Sequence, residues 1–179
     1  QALAQGQLPL WSPDLFMGIP LLANPQLGTF YPPNWLTIPF NAPDAVRVSL
    51  LLHVAWAILG AYALARKSLS LNRIPALVAG GLFGLGGFVS AHVEQINQLQ
   101  GLAWMPWLFL LFHLALAQPH RYILPLALGF ALQVFTGHTQ TVFITGLGLG
   151  VYGLVEIGLN REQHTELLRG LHRPVLVLL

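Results

Sequence analysis

Five long apolar runs, at residues 45–65, 74–91, 99–117, 122–136 and 141–159, are separated only by short polar connectors, and a sixth begins near Pro174. A helix crossing a hydrocarbon core needs about 20 apolar residues, and most of these runs approach that length. Irregular chain and open sheet edges cannot satisfy their backbone hydrogen bonds in lipid. The expected fold is therefore all-α, a polytopic transmembrane helix bundle of about five full spans plus the start of a sixth. Charged residues make up only 8% of the chain, against roughly 25% in soluble domains; as a water-soluble globule it would expose large apolar patches and aggregate. The fourth run is short, and is expected either to tilt little or to end in a broken or re-entrant turn at residues 136–140.

The connectors alternate in charge. Arg66, Lys67 and Arg73 lie between the first two runs, Arg121 between the third and fourth, and Arg161, Arg169 and Arg173 after the fifth. Residues 1–44, 92–98 and 137–140 contain no Lys or Arg. Arg47, just inside the first run, is the exception to this segregation. The positive-inside rule assigns the basic side to the cytoplasm, so residues 1–44 form an extracytoplasmic loop and residues 45–179 a transmembrane helical bundle. The chain opens at Gln1 in a polar segment, shows no signal peptide and stops inside an apolar run, which reads as a fragment of a larger membrane domain. Residues 160–173 are charged and read as a solvated connector or a short amphipathic helix.

The net charge of +2 is too small to indicate a nucleic-acid partner, and the absence of Cys excludes disulfides, thiolate metal sites and Cys nucleophiles. Function is sought instead on the outer side. Residues 8–35 combine Pro, aromatics and carboxamides without a single Lys or Arg, the composition of an ordered loop resting on a membrane. This loop supplies Asp14, Asn24, Gln26, Tyr31 and Asn34. The second outer connector supplies His92, Glu94, Asn97 and Gln100, and the third His138 and Gln140. A carboxylate or imidazole for proton transfer, with amides for hydroxyl groups, is the mix a sugar-binding or catalytic site requires. The competing reading is that outer loops are polar because they are wet.

Individual residues carry similar alternatives. Asp14, in Ser-Pro-Asp, reads as a base or cation ligand, or as a first-turn helix residue. His92-x-Glu94 lacks the Pro-Cys-x-x-Cys of the zinc deaminases; with His138 the two would share a divalent cation or an acid/base role, provided the helix has ended between them. Gly148-x-Gly150-x-x-Gly153 matches a dinucleotide fingerprint literally but lies inside an apolar run with no preceding strand. It reads, like Gly80, Gly81, Gly84, Gly86 and Gly87, as close helix–helix contact. His53, about two turns below the outer face, is an intramembrane polar group and hence a functional candidate. Trp35, Trp104 and Trp107 read as interface anchors.

The segments Gly6-Gln-Leu-Pro-Leu-Trp-Ser-Pro, Gly18-Ile-Pro-Leu-Leu-Ala-Asn-Pro-Gln and Phe30-Tyr-Pro-Pro-Asn, followed by Gly87-Phe-Val-Ser-Ala-His, Gln100-Gly-Leu-Ala-Trp-Met-Pro-Trp and Gly137-His-Thr-Gln-Thr, resemble the bacterial YfhO-like membrane proteins. That family looks like part of the GT-C superfamily of integral-membrane glycosyltransferases. The resemblance implies residence in the bacterial cytoplasmic (inner) membrane, a polyprenyl-phosphate-linked sugar donor and an extracytoplasmic cell-envelope polymer as acceptor. It implies inverting transfer, in which a carboxylate of the first outer loop deprotonates the acceptor hydroxyl, and it places that carboxylate near the end of a span preceding Gln1. Asp14 stands where the family often has an aromatic. The catalytic candidates in this chain are then Asp14, Glu94 and His92, and the substrate-binding candidates Trp11, Asn24, Gln26, Tyr31, Asn34, Asn97, His138 and Gln140. The alternative is a non-catalytic lipid or polysaccharide transporter or an envelope-assembly membrane protein.

Overall fold

The computed structural model describes Leu10, Trp11, Met17, Gly18, Pro20 and residues 24–159, except for the side chains of Ile157 and Leu159. Asp14, the connector at residues 160–173 and the run from Pro174 lie outside the described residues. Every regular element among the described residues is helical. A 3-10 turn at Pro25–Leu27 is followed by α1 (Pro32–Trp35), α2 (Ala42–Lys67), α3 (Arg73–Leu85), α4 (Gly87–Ala91), α5 (Ile96–Ala117), α6 (Pro119–Phe135) and α7 (Thr139–Leu159). Three helical segments are long and apolar enough to cross a membrane: Ala42–Lys67, Arg73–Ala91 and Ile96–Ala117.

Local chemistry sets the boundaries. The Asn41 side chain caps α2 by accepting from the Asp44 N–H at 3.0 Å, and Pro43 fits the first turn, where no N–H is needed. Asp44 in the first turn and Arg66 and Lys67 in the last both oppose the helix dipole. Arg66 also donates to the Leu71 carbonyl at 2.6 Å, closing the connection to α3. The second apolar run is not one continuous helix: Gly86 adopts an extended conformation, with φ −66° and ψ 160°, and separates α3 from α4. The fourth run forms α6 and ends in a turn within residues 136–140. Thr136 caps α6, Gly137 turns the chain with φ 80°, and α7 starts at Thr139.

The chain divides into two compact units, Gln1–Phe143 and Ile144–Leu179. In the first, α2 packs against α3 and α5, and α5 against α6. Buried Ser49, His53, Ala57, Ala61 and Ala65 recur every four residues along one face of α2. On α3 the matching row is Ala76, Gly80 and Gly84. A Cβ on Gly80 would sit 2.8 Å from the Ile58 carbonyl oxygen, and one on Gly84 2.3 Å from Ile58 Cγ1. Small residues thus let α2 and α3 approach to backbone contact, the packing that replaces hydrophobic driving force inside lipid. Gly81 and Gly87, by contrast, face open space. In the second unit the described residues continue α7, which contains Gly148, Gly150 and Gly153. No strand exists among the described residues to build a dinucleotide-binding turn.

The contacts also fix direction. Gly80 and Gly84 of α3 meet Tyr62, Ile58 and Val54 of α2 in reverse order, so these helices are antiparallel. Gln100 lies on Ser49 and Trp107 on Gly60, so α5 runs parallel to α2. Gln133 reaches Gly101, so α6 returns antiparallel to α5. Arg66, Lys67, Arg73 and Arg121 therefore collect at one end, and residues 24–41, 92–97 and 136–141 at the other. Arg47 belongs to the second end, where Asp44 accepts from it at 3.3 Å. Leu51, Leu59, Ile74, Leu77, Leu82, Ile123 and Leu128 stand exposed along the helices, a surface suited to lipid and not to water.

Candidate functional site at the loop-bearing end

The first loop is organised by its own side chains. Asn24 accepts from the Gln26 N–H at 3.0 Å and caps the 3-10 turn. Gly28, with φ 55°, ends that turn. Asn34 donates to the Gly28 carbonyl at 3.1 Å, Trp35 to the Thr29 carbonyl at 3.0 Å, and Thr37 to the Asn34 carbonyl at 2.7 Å. Pro32 and Pro33 start α1 with backbone angles already set for helix.

This ordered loop is clamped to the bundle by a directed polar chain. His53 Nδ1 lies 2.7 Å from the Ser49 carbonyl oxygen, which can only accept, so Nδ1 carries the proton. His53 Nε2 is then an acceptor and takes the Tyr31 O–H at 2.8 Å. The Tyr31 oxygen in turn accepts the Trp104 indole N–H at 2.8 Å. Beside it, the Gln100 amide donates to Asn34 Oδ1 at 2.6 Å and to Ser49 Oγ at 3.1 Å. Tyr31 is 1% exposed, and its phenol is pushed up to about 12 by burial, partly offset by the Trp104 hydrogen bond; it stays a neutral donor. Around this chain Trp56 stacks on Trp107 at 4.4 Å and meets Trp104 edge-on at 5.5 Å. Trp107 donates to the Trp56 carbonyl at 3.0 Å, and a Cβ on Gly60 would strike its indole at 2.6 Å. Trp104 and Trp107 are thus half-buried packing elements between helices as well as aromatic residues near a helix end.

The other two segments close on the same loop. Asn97, in the first turn of α5, donates to the Gln26 carbonyl. Gly137 approaches Pro25 so nearly that a Cβ there would overlap the Pro25 carbonyl oxygen at 1.8 Å. An open cavity of about 190 Å³ lies between the loop and the end of α6, lined by Asn24, Gly28, Thr29, Phe30, Phe135 and Gly137 among others. His92 follows the last residue of α4, so the helix has ended before Glu94. Its Nδ1 donates to the Phe88 carbonyl at 2.7 Å, and its ring lies 4.4 Å from that of Phe88. His138 Nδ1 accepts from the Thr141 N–H at 3.3 Å and lies 2.6 Å from Thr141 Oγ1. Burial lowers the proton affinity of His138 below the usual imidazole value, and the nearby charge of a protonated His92 lowers it further.

Of the residues expected to form a site, Asn24, Gln26, Tyr31, Asn34 and Asn97 take part in the hydrogen bonds that order or hold the first loop, whereas His138 bonds to Thr141 in its own turn. Tyr31 and Asn34 are committed to loop docking. Trp11 is exposed and lies over Gly18, where a Cβ would strike its indole at 2.5 Å. Glu94 and Gln140 are exposed. Among the described residues no group of three His, Asp or Glu side chains is arranged to hold a metal ion. The divalent cation shared by His92, Glu94 and His138 thus has no described site. The Tyr31–His53–Trp104 chain was missed in sequence. Its only signal was a histidine inside an apolar run, since nothing periodic links it to a loop tyrosine 22 residues earlier. Comparison with protein-family models, curated proteins and solved structures finds no match.

Proposed function

We propose that this chain belongs to an integral-membrane glycosyltransferase-like protein of the GT-C kind, related to the YfhO-like proteins, that transfers a sugar from a polyprenyl-phosphate donor to an extracytoplasmic cell-envelope polymer. In this reading α6 and α7 also cross the membrane, giving five spans in the bacterial cytoplasmic membrane with residues 1–44 outside. The observation that carries it is the convergence of the first loop, residues 92–100 and residues 136–141 at the end opposite Arg66, Lys67, Arg73 and Arg121. A cavity there lies between the first loop and the end of α6, lined by Asn24, Thr29, Phe30, Phe135 and Gly137, and in this reading it sits where the headgroup of a lipid-linked sugar meets a polymer hydroxyl. The loop is held rigidly enough to position a substrate.

The break at Gly86 favours a second reading, a non-catalytic lipid or polysaccharide transporter, because interrupted helices carry the substrate sites of many transporters. Turnover separates the two. The intact protein in lipid nanodiscs, given a polyprenyl-phosphate sugar and an envelope polymer, is expected to release polyprenyl phosphate and label the polymer. Substitutions Asp14→Ala, Glu94→Ala and His138→Ala then assign the site: turnover unchanged in all three removes these residues from it. Donor that crosses the bilayer unhydrolysed, without polymer labelling, supports transport instead.

A further inference from the structure

We propose that residues 28–38 form a re-entrant loop, which dips beside α2 and α5 below the membrane boundary and faces the acyl chains of the surrounding lipid instead of water. This requires only that α2, the segment Arg73–Ala91 and α5 are spans; it does not depend on glycosyl transfer. Charge sets the boundary. Between Arg47 and Arg66, α2 carries no Asp, Glu, Lys or Arg. That stretch rises about 28 Å at 1.5 Å per residue, which matches a hydrocarbon core of about 30 Å. Arg47, paired with Asp44 and with its side chain 75% exposed, therefore marks the boundary at the loop-bearing end.

The loop reaches deeper than that mark. His53, which accepts from the Tyr31 hydroxyl, lies about 9 Å further along α2 than Arg47. Helix α5 gives the same descent independently. The Gln26 carbonyl is held by Asn97 in its first turn, whereas the Tyr31 hydroxyl meets Trp104, about 10 Å further along the helix. The backbone descends as well as the side chain. A Cβ on buried Gly28 would lie 3.9 Å from the Thr136 carbonyl oxygen, and Thr136 Oγ1 is 3.3 Å from the Cβ position of Gly101, about 6 Å beyond Asn97 on α5. The chain then climbs back to Asn41, the cap of α2.

The chemistry of the loop suits hydrocarbon at this depth. Residues 24–41 contain no charged side chain and no histidine. Gly28 and Tyr31 are buried against the bundle, while Phe30, Trp35, Leu36 and Ile38 stand exposed. In lipid every backbone polar group must find a partner within the protein. The N–H groups of Tyr31, Asn34, Leu36, Thr37, Ile38 and Phe40 each donate to the carbonyl three residues back, and Pro32, Pro33 and Pro39 have no N–H to satisfy. The Trp35 indole and the Thr37 hydroxyl also donate to loop carbonyls. A loop in water needs none of this self-sufficiency, and its exposed aromatic and aliphatic side chains would form an apolar patch. The partner that fits this surface is the acyl region of the leaflet at the loop-bearing end.

The test uses nitroxide labels on single cysteines in the full chain, held in phospholipid nanodiscs. Phe30→Cys and Leu36→Cys probe the loop; exposed Leu59→Cys, midway along α2, is the lipid reference and exposed Glu94→Cys the aqueous one. Both loop side chains are exposed, so their replacement leaves the docked face intact. Power-saturation measurements compare collisions with molecular oxygen, which concentrates in hydrocarbon, and with a water-soluble nickel chelate. Both loop labels are expected to give the oxygen-to-nickel ratio of Leu59→Cys. The ratio of Glu94→Cys at either label places the loop in water and overturns the proposal. Few collisions with both agents reveal a protein cover and overturn it equally. A label-free variant reads the same surface: Leu36→Asp is expected to lower the unfolding midpoint in nanodiscs, because an Asp in hydrocarbon is costly, and an unchanged midpoint contradicts immersion.

Discussion

The Tyr31 hydroxyl donates to His53 Nε2 across 2.8 Å, joining a loop residue to the buried face of α2. Because Trp104 donates to the same hydroxyl, one oxygen ties the loop to two helices at once. Neither bond forms within a single element, so the loop is anchored by tertiary structure alone.

Replacing Tyr31 by Phe keeps the ring and removes that oxygen. The Trp104 N–H and His53 Nε2 would lose their partner in a site that excludes water, which costs about 1–3 kcal/mol per unsatisfied group. A lower unfolding midpoint in nanodiscs is expected, with faster amide exchange at residues 28–36. The double variant with His53→Phe should lose less than the sum of the single losses.

Gly137→Ala is expected to displace the first loop. The new Cβ would meet the Pro25 carbonyl, and φ 80° adds strain of about 1–2 kcal/mol for a non-glycine residue. Gly81→Ala is the matched control: nothing lies within 4 Å of its Cβ, so stability should hold or rise slightly. Equal destabilisation by both substitutions would contradict the close approach.

Acid should loosen the start of α7. Folding holds the His138 pKa below its unfolded value of about 6.5, so the unfolded chain binds the proton more readily. The stabilisation is full above that pH and is lost as pH falls through the lower folded value. Amide exchange at residues 138–142 is expected to accelerate across this window in the wild type, and His138→Asn, which keeps a capping acceptor, to flatten the response.

The segregation of charge is checked by labelling. The chain contains no Cys, so single cysteines report without background. Exposed Gln26→Cys should react with a membrane-impermeant maleimide in intact cells, and exposed Gln118→Cys, at the basic end, only after lysis. The reverse pattern would invert the proposed topology.

Helical architecture was legible because apolar run length and connector charge are one-dimensional properties. The run at residues 45–65 became α2 and that at residues 99–117 became α5 with shifts of a few residues, which polar capping at Asn41 and the first turn at Asn97 explain. Gly86 and Gly87 were visible as small residues, but a break and a contact both select glycine, and only the backbone angles distinguish them. A turn at residues 136–140 was legible, but the close approach of Gly137 to Pro25 was not, because that partner lies more than a hundred residues earlier. His53 stood out as a polar residue in a span; its partner could not be inferred, since loop-to-helix hydrogen bonds leave no periodic trace.

The Trp104–Tyr31 bond has a consequence for biogenesis. Tyr31 leaves the ribosome long before Trp104, 73 residues later in the chain, and its docking surface does not exist until α2 and α5 have paired. The loop must therefore wait, undocked, while three membrane-directed segments are synthesised after it. Its ordering is a late event in assembly, and a ribosome stalled before α5 should display a loop still open to proteases.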